Sequence, residues 1–237
     1  MLPTLALICE GPHDEAVGRT LVERILSEEG IVDNWSWYCE ACGQDRTAYF
    51  WRDVPSNREL RQHRILTRLR YAEPPPHGDG PMALRAVLWL LWRSKNPGMR
   101  FILMRDRDGD RKRCEGLEWA RRHHNAILVV GCAIESVEAW VLAAWKPENE
   151  KERETLEAIR EELGIDPSQE SHKLRRGKRS PKRIVKRLLG DADRARYAWI
   201  MKQLSWEHLE RNPGAQASSL LNFVRQIRTL LVSWLRK

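Results

Sequence analysis

Carboxylates fall three times at the positions where an open α/β sheet binds its ligands, the carboxyl ends of its strands. Glu10 closes the apolar run Leu5 to Cys9. Asp106, Asp108 and Asp110 follow the run Phe101 to Met104. Glu135 and Glu138 follow the run Ala126 to Gly131. Loops at one edge of a parallel sheet can bring all three groups within a few ångströms of each other. So many negative charges repel strongly unless a cation neutralises them. Hard oxygen donors select Mg2+, Mn2+ or Ca2+ over zinc. Glu135 and Glu138 stand at the i and i+3 positions of an expected helix, so both can face one site. Asp106 and Asp108 alternate, so both face the same way if the chain stays extended.

Acidic residues also collect at strand ends for simpler reasons, because they cap helices and tolerate turns. Asp14 stands in capping position, and Asp110 reads equally well as a turn residue. Two rival readings of the aspartate run can be tested by spelling. An EF-hand loop starting at Asp106 needs glycine at its sixth position and glutamate at its twelfth. The chain has Arg111 and Leu117 there. A phosphatase of the haloacid-dehalogenase type needs DxDx[TV] after its first strand, whereas this run reads Asp106-Arg107-Asp108-Gly109-Asp110 and follows a later one.

The elements that must position these residues can be read from punctuation and periodicity. Leu5 to Cys9 is a first strand, followed by a tight loop at Glu10-Gly11-Pro12. A helix over 14–29 carries Val17, Leu21, Val22, Ile25 and Leu26 at helical spacing, and Gly30 stops it. Trp35 to Cys39 reads as a second strand, and Pro74-Pro75-Pro76 as a loop. Pro81 to Lys95 is a helix closed by Asn96-Pro97-Gly98, and another spans Cys114 to His124. The unbroken run from Ala126 to Gly131 fits a strand covered on both faces. A helix begins in the stretch Ala133 to Trp140. Alternating strands and helices predict an α/β fold: a Rossmann-like, mainly parallel sheet flanked by helices. No strand is expected after residue 147. Glu150 to Leu163 is a charged helix, and 192–209 and 217–236 read as two closing helices. The chain therefore divides into an α/β core over 1–147 and a basic helical region, packed on the core, over 148–237.

The 237 residues are 42% hydrophobic and 31% charged, a folded composition, and the net charge of +8 favours polyanionic partners. No apolar run approaches the roughly 20 residues that span a bilayer. The start of the chain has no basic segment before its apolar run and reads as a strand, so the expected location is the cytoplasm. Five cysteines, at 9, 39, 42, 114 and 132, are not a secreted disulfide framework. Cys39 and Cys42 form a lone CxxC with no second ligand pair, read as reduced thiols and not a zinc site. The eleven tryptophans fall mostly on helical patterns, where core packing explains them.

Residues 172–187 carry nine lysines and arginines, including Lys173, Arg175, Arg176, Lys178, Arg179, Lys182 and Arg183. They suit a sequence-independent grip on phosphates. A solvated basic helix, or a mate for an acidic partner protein, would read the same way.

Glu10-Gly11 with Asp14 after the first strand, then Asp106-x-Asp108-x-Asp110 after a later one, resembles the Toprim domain of topoisomerases, bacterial primases, RecR proteins and OLD-type nucleases. The stretch 133–143 resembles the EAWLLAD segment of a bacterial Toprim-like family, and 180–189 and 217–223 are also similar to that family. Its members are often encoded beside an OLD-like or ABC-like ATPase in loci resembling abortive-infection or other phage-defence systems. The resemblance implies a Toprim sheet and Mg2+- or Mn2+-dependent cleavage of phosphodiesters in DNA or RNA, with an ATPase partner. It implies Glu10 as metal ligand or general acid/base, and Asp106 and Asp108 as metal ligands. Glu135 and Glu138 would complete a second ion site, with Asp110 and Asp14 in support. No tyrosine stands in a topoisomerase context. Two alternatives remain at this level: a non-catalytic subunit binding nucleic acid or the ATPase, and a phosphohydrolase acting on a small substrate.

Overall fold

A computed structural model describes residues 2–38, 48–65, 74–175 and 177–237, without the side chain of residue 178. Cys39, Cys42 and Arg176 lie outside the described residues. Five strands, β1 (Thr4–Cys9), β2 (Ser36–Trp37), β3 (Tyr49–Phe50), β4 (Arg100–Asp106) and β5 (Ile127–Ala133), form one sheet in the order β2-β1-β4-β5. β3 pairs with the carboxyl end of β1, and every pairing is parallel. The α/β class and the parallel sheet with flanking helices agree with the sequence reading.

Side chains alternate across a strand, and here the alternation sorts them into two cores. Leu5, Leu7, Cys9, Ile102, Met104 and Val129 face one side, and Ala6, Ile8, Phe101, Leu103, Ile127 and Val130 the other. The apolar runs are continuous because both faces are covered.

Among the described residues, twelve α-helices complete the fold: α1 (Pro12–Glu28), α2 (Asn57–Gln62), α3 (Asp79–Ser94), α4 (Arg111–His123), α5 (Val137–Ala144), α6 (Glu150–Leu163), α7 (Pro181–Leu189), α8 (Arg194–Gln203), α9 (Trp206–Arg211), α10 (Pro213–Ala217), α11 (Leu220–Gln226) and α12 (Val232–Leu235). α3 and α4 cover one face of the sheet. α1 covers the other, and in that same core lie Trp140 of α5, Ile159 of α6, Ile184 of α7, Ile200 of α8 and Phe223 of α11. Gln226 binds the edge of β5 directly. Its Oε1 accepts from the Val130 N–H at 3.0 Å and its Nε2 donates to the Val130 carbonyl at 3.1 Å. Gly131 leaves room for this packing, since a Cβ there would lie 2.7 Å from Phe223 and 3.0 Å from Trp140. Among the described residues, no helix is long and apolar enough to cross a membrane.

Three expectations are corrected. The expected helix over 192–209 is two, α8 and α9, with the short α10 after them, whereas the second closing helix runs on from Leu220 to Leu235 through a π turn over 227–231. Ser205 caps α9, while Asn212 caps α10 and precedes its first-position proline, and each cap starts a new helix. The helix after β5 begins within the expected stretch, at Val137, but leaves Glu135 outside it. β5 continues through Ala133, and Glu135 has a left-handed φ of 67° that no helix accepts. The second strand is only Ser36–Trp37 within the described residues.

Candidate metal centre at the carboxyl ends of β1 and β4

β1 delivers Glu10 to the sheet edge, and Gly11 and Pro12 turn the chain straight into α1. Gly11, not Asp14, holds the capping position, and its cap makes no side-chain hydrogen bond. Asp14 lies one turn inside and is buried. Its place in the first turn is favourable for a carboxylate, yet its surroundings are not. Burial, then Glu10 and Glu138, push its pKa up to about 7, against the weaker pull of its backbone hydrogen bond and Lys182.

β4 runs one full strand into the aspartate motif, so Asp106 belongs to the sheet and is only 4% exposed. Its Oδ1 accepts from the Val137 N–H at 2.8 Å. Asp106 therefore caps α5, whose own cap residue Ser136 makes no such bond. α5 reads Val-Glu-Ala-Trp-Val-Leu-Ala-Ala and is buried along its whole length. Glu138 is its one charged residue, and Oε2 of Glu138 is buried without a hydrogen-bond partner. Burial, then Asp14, Glu138 and Glu10, raise Asp106 to about 9, with Lys182 opposing. Tyr197 of α8 closes this pocket. It is buried, and its ring lies tilted against that of His13 at 4.7 Å. Burial, Glu138 and Asp14 all raise its pKa.

The structure thus brings together Glu10, Asp14, Asp106 and Glu138, and sends the other carboxylates elsewhere. Asp108 does not share the direction of Asp106, because the strand ends at Asp106 and Asp108 has φ 49°. Its half-exposed side chain pairs with Arg113 at 2.5 Å. Glu135 does not share a helix face with Glu138. It sits in the loop and meets Nη1 of Arg175 at 3.3 Å. Asp110 caps α4 by accepting from the Lys112 N–H at 2.9 Å.

An arginine frame that the sequence reading missed surrounds the cluster. Arg113 reaches the Asp106 carbonyl at 2.8 Å and Glu10 at 3.4 Å, in addition to Asp108. Arg105 reaches Glu10 at 3.3 Å. Both are oriented by Asp79 at the start of α3, which accepts from Nε of Arg105 at 3.2 Å and of Arg113 at 3.0 Å. His77 lies between Asp79 and Asp110, 3.6 and 3.5 Å from them. The alternating charges of 105–113 are a visible signal for the two arginines, but Asp79 lies 26 residues before Arg105 and has none.

The basic segment divides. α7 buries Ile184, Val185 and Leu188 and exposes Lys182, Arg183, Lys186 and Arg187. Lys182 extends from it to within 3.8 Å of Asp106. Burial weakens the Lys182 charge, but Glu138, Asp106, Asp108 and Asp14 outweigh it and raise its pKa. Arg175 covers Glu135. Lys173 instead pairs with Glu170, and Arg179 donates to the Leu163 carbonyl at 3.1 Å. A shallow cavity of about 590 Å³ opens above these loops, lined by Arg107, Asp108, Gly109, Asp110, Glu135 and Arg175.

The inner carboxylates fit a divalent cation in charge and donor type, and the orphaned Glu138 oxygen lacks the partner such an ion would supply. In the arrangement described, arginines engage Glu10 and Asp108, and Lys182 approaches Asp106. Among the described residues, no three His, Cys, Asp or Glu side chains stand as a ready ligand set. Comparisons with family models, curated proteins and solved structures return no match for this chain.

Proposed function

We propose that the chain is a metal-dependent nuclease of the Toprim type, hydrolysing phosphodiester bonds in DNA or RNA. The observation that carries the reading is the convergence of Glu10, Asp14, Asp106 and Glu138 from β1, α1, β4 and α5, with a buried Glu138 oxygen lacking a partner. Mg2+ or Mn2+ would be held by Asp106, Glu138 and Glu10, with Asp14 in support. Bound there, a divalent ion supplies charge stabilisation to an attacking and a leaving oxygen. Arg175 and Lys182 stand above the acids and would hold the substrate's phosphates, while the neighbouring exposed Arg183 of α7 would extend the grip. Asp108, Asp110 and Glu135 line the cavity beside this centre, where an outer ion or the phosphates would sit. A control partner of the OLD/ABC-like ATPase kind, and a role in phage defence, follow from the resemblance of the motifs.

Titration calorimetry with Mg2+ and Mn2+, beside cleavage of plasmid and total RNA, tests the reading. Wild type should bind metal and cut, and Asp106→Ala should do neither. If wild type binds no divalent ion, the reading is wrong.

A second reading is a non-catalytic subunit that binds nucleic acid or an ATPase. It is favoured by the engagement of Glu10 and Asp108 with Arg105 and Arg113. Metal-independent nucleic-acid binding without cleavage would support it.

A further inference from the structure

We infer that Cys114 and Cys132 form a reversible redox-modification site that fixes the first turn of α4, and with it the grip of Arg113 on the acidic residues.

The two cysteines are disulfide-bonded, with Cα atoms 5.7 Å apart, and stand 18 positions apart in sequence. Cys114 is in the first turn of α4, and Cys132 lies in β5, in register with Arg105 of β4. Both are only partly buried, so a small thiol can reach the bond. Arg113 immediately precedes Cys114 and holds four groups at once: the Asp106 carbonyl, Asp108, Glu10 and Asp79. The bond therefore ties the helix turn carrying Arg113 to the strand leading to Glu135. Besides the bond, that turn is held by the Asp110 cap, by His77 beside Asp110 and by Arg113's own contacts, and Gly116 packs closely on Gly80 of α3. In a reducing cytosol such a bond is transient and sensing in character.

The exchange balances with oxidised glutathione as oxidant. One cysteine thiolate attacks a glutathione sulfur, the glutathione disulfide breaks, and one glutathione thiolate leaves. The second cysteine thiolate then attacks the mixed disulfide and expels the other. Two protein thiols are oxidised, one glutathione disulfide is reduced to two thiols, and the two protons pass to the leaving thiolates. A looser Arg113 should also yield the acids to a cation more readily. This corollary rests on the metal-centre reading, whereas the cysteine chemistry does not.

The test equilibrates the full chain in glutathione buffers from reducing to oxidising. It follows thiol alkylation by peptide mass spectrometry, backbone hydrogen exchange at 107–115, and Mn2+ affinity. Cys114 and Cys132 should become protected together. Reduction should speed exchange at 107–115 at least tenfold and tighten Mn2+ binding at least threefold. Cys114→Ser should behave as the reduced form in every buffer, and Cys132→Ser gives the same comparison should the first variant fail to fold. Alkylation of both thiols under oxidising conditions, or exchange that ignores the redox state, overturns the inference. Redox-dependent exchange with no Mn2+ binding in either form would leave this site standing and remove the metal centre.

Discussion

The backbone N–H of Asp108 donates to the carbonyl of Glu135 at 3.1 Å, and both residues adopt left-handed backbone, with φ of 49° and 67°. The two acid-bearing loops are thus bonded to one another at the residues where each is most strained. Such strain persists only where surrounding structure imposes it.

Replacing Glu135 separates strain from charge. Its ion pair is with an Arg175 side chain that is 60% exposed, so losing it matters little. Glu135→Gly should change stability by less than about 1 kcal/mol, since glycine relieves the positive φ. Glu135→Val should be about 1–2 kcal/mol worse than Glu135→Gly. Urea unfolding of the two variants measures the gap, and equal midpoints would show that the loop has relaxed.

Asp79 is the buried anchor of Arg105 and Arg113. Removing one partner of a buried pair leaves charge uncompensated. Asp79→Ala should therefore cost about 3 kcal/mol, at the low end of the usual range because Glu10 and Asp108 still hold the arginines. Chemical denaturation of Asp79→Ala, Arg113→Ala and the double variant should show strong non-additivity.

Gly131→Ala puts a methyl group against the Phe223 and Trp140 rings. Rigid aromatics cannot yield cheaply in a packed core, so the change should cost about 1–3 kcal/mol. A melting temperature equal to wild type would mean that α11 can shift away from β5.

The pH dependence of the metal-free protein follows from Asp14 and Asp106. Both pKa values lie above their ordinary value of 3.8, at about 7 and about 9. The folded state then binds more protons than the unfolded state across that window. Their contribution to stability is complete below about pH 4 and is lost as pH rises through 7 and then 9. Asp106→Asn should flatten the fall between pH 7 and 9.5, read as melting temperature against wild type. An unchanged slope would exclude Asp106 as its source.

If α7 grips phosphates, Arg183→Ala should weaken binding to duplex DNA of every sequence about equally. It should also reduce the slope of log affinity against log salt by about 0.9. Fluorescence anisotropy at several salt concentrations measures this, and an unchanged slope would place Arg183 off the binding face.

Whatever depends on neighbours in the chain was determined by the sequence. β1, β4 and β5 are legible because a covered parallel strand needs an unbroken apolar run. α6 begins and ends where expected because Asn149 caps it and Gly164, at φ 66°, stops it. The placement of Glu10 and Asp106 at strand ends follows from the same runs. Only the tertiary structure decided which carboxylates meet. Asp14 looks like a cap until α1 starts two residues earlier and buries it. Glu135 and Glu138 look like one helix face until β5 pairs on through Ala133 and the loop turns left-handed. Asp79, Tyr197 and Lys182 reach the cluster from α3, α8 and α7. Such pairings depend on how helices pack across the sheet, which spacing along the chain does not encode.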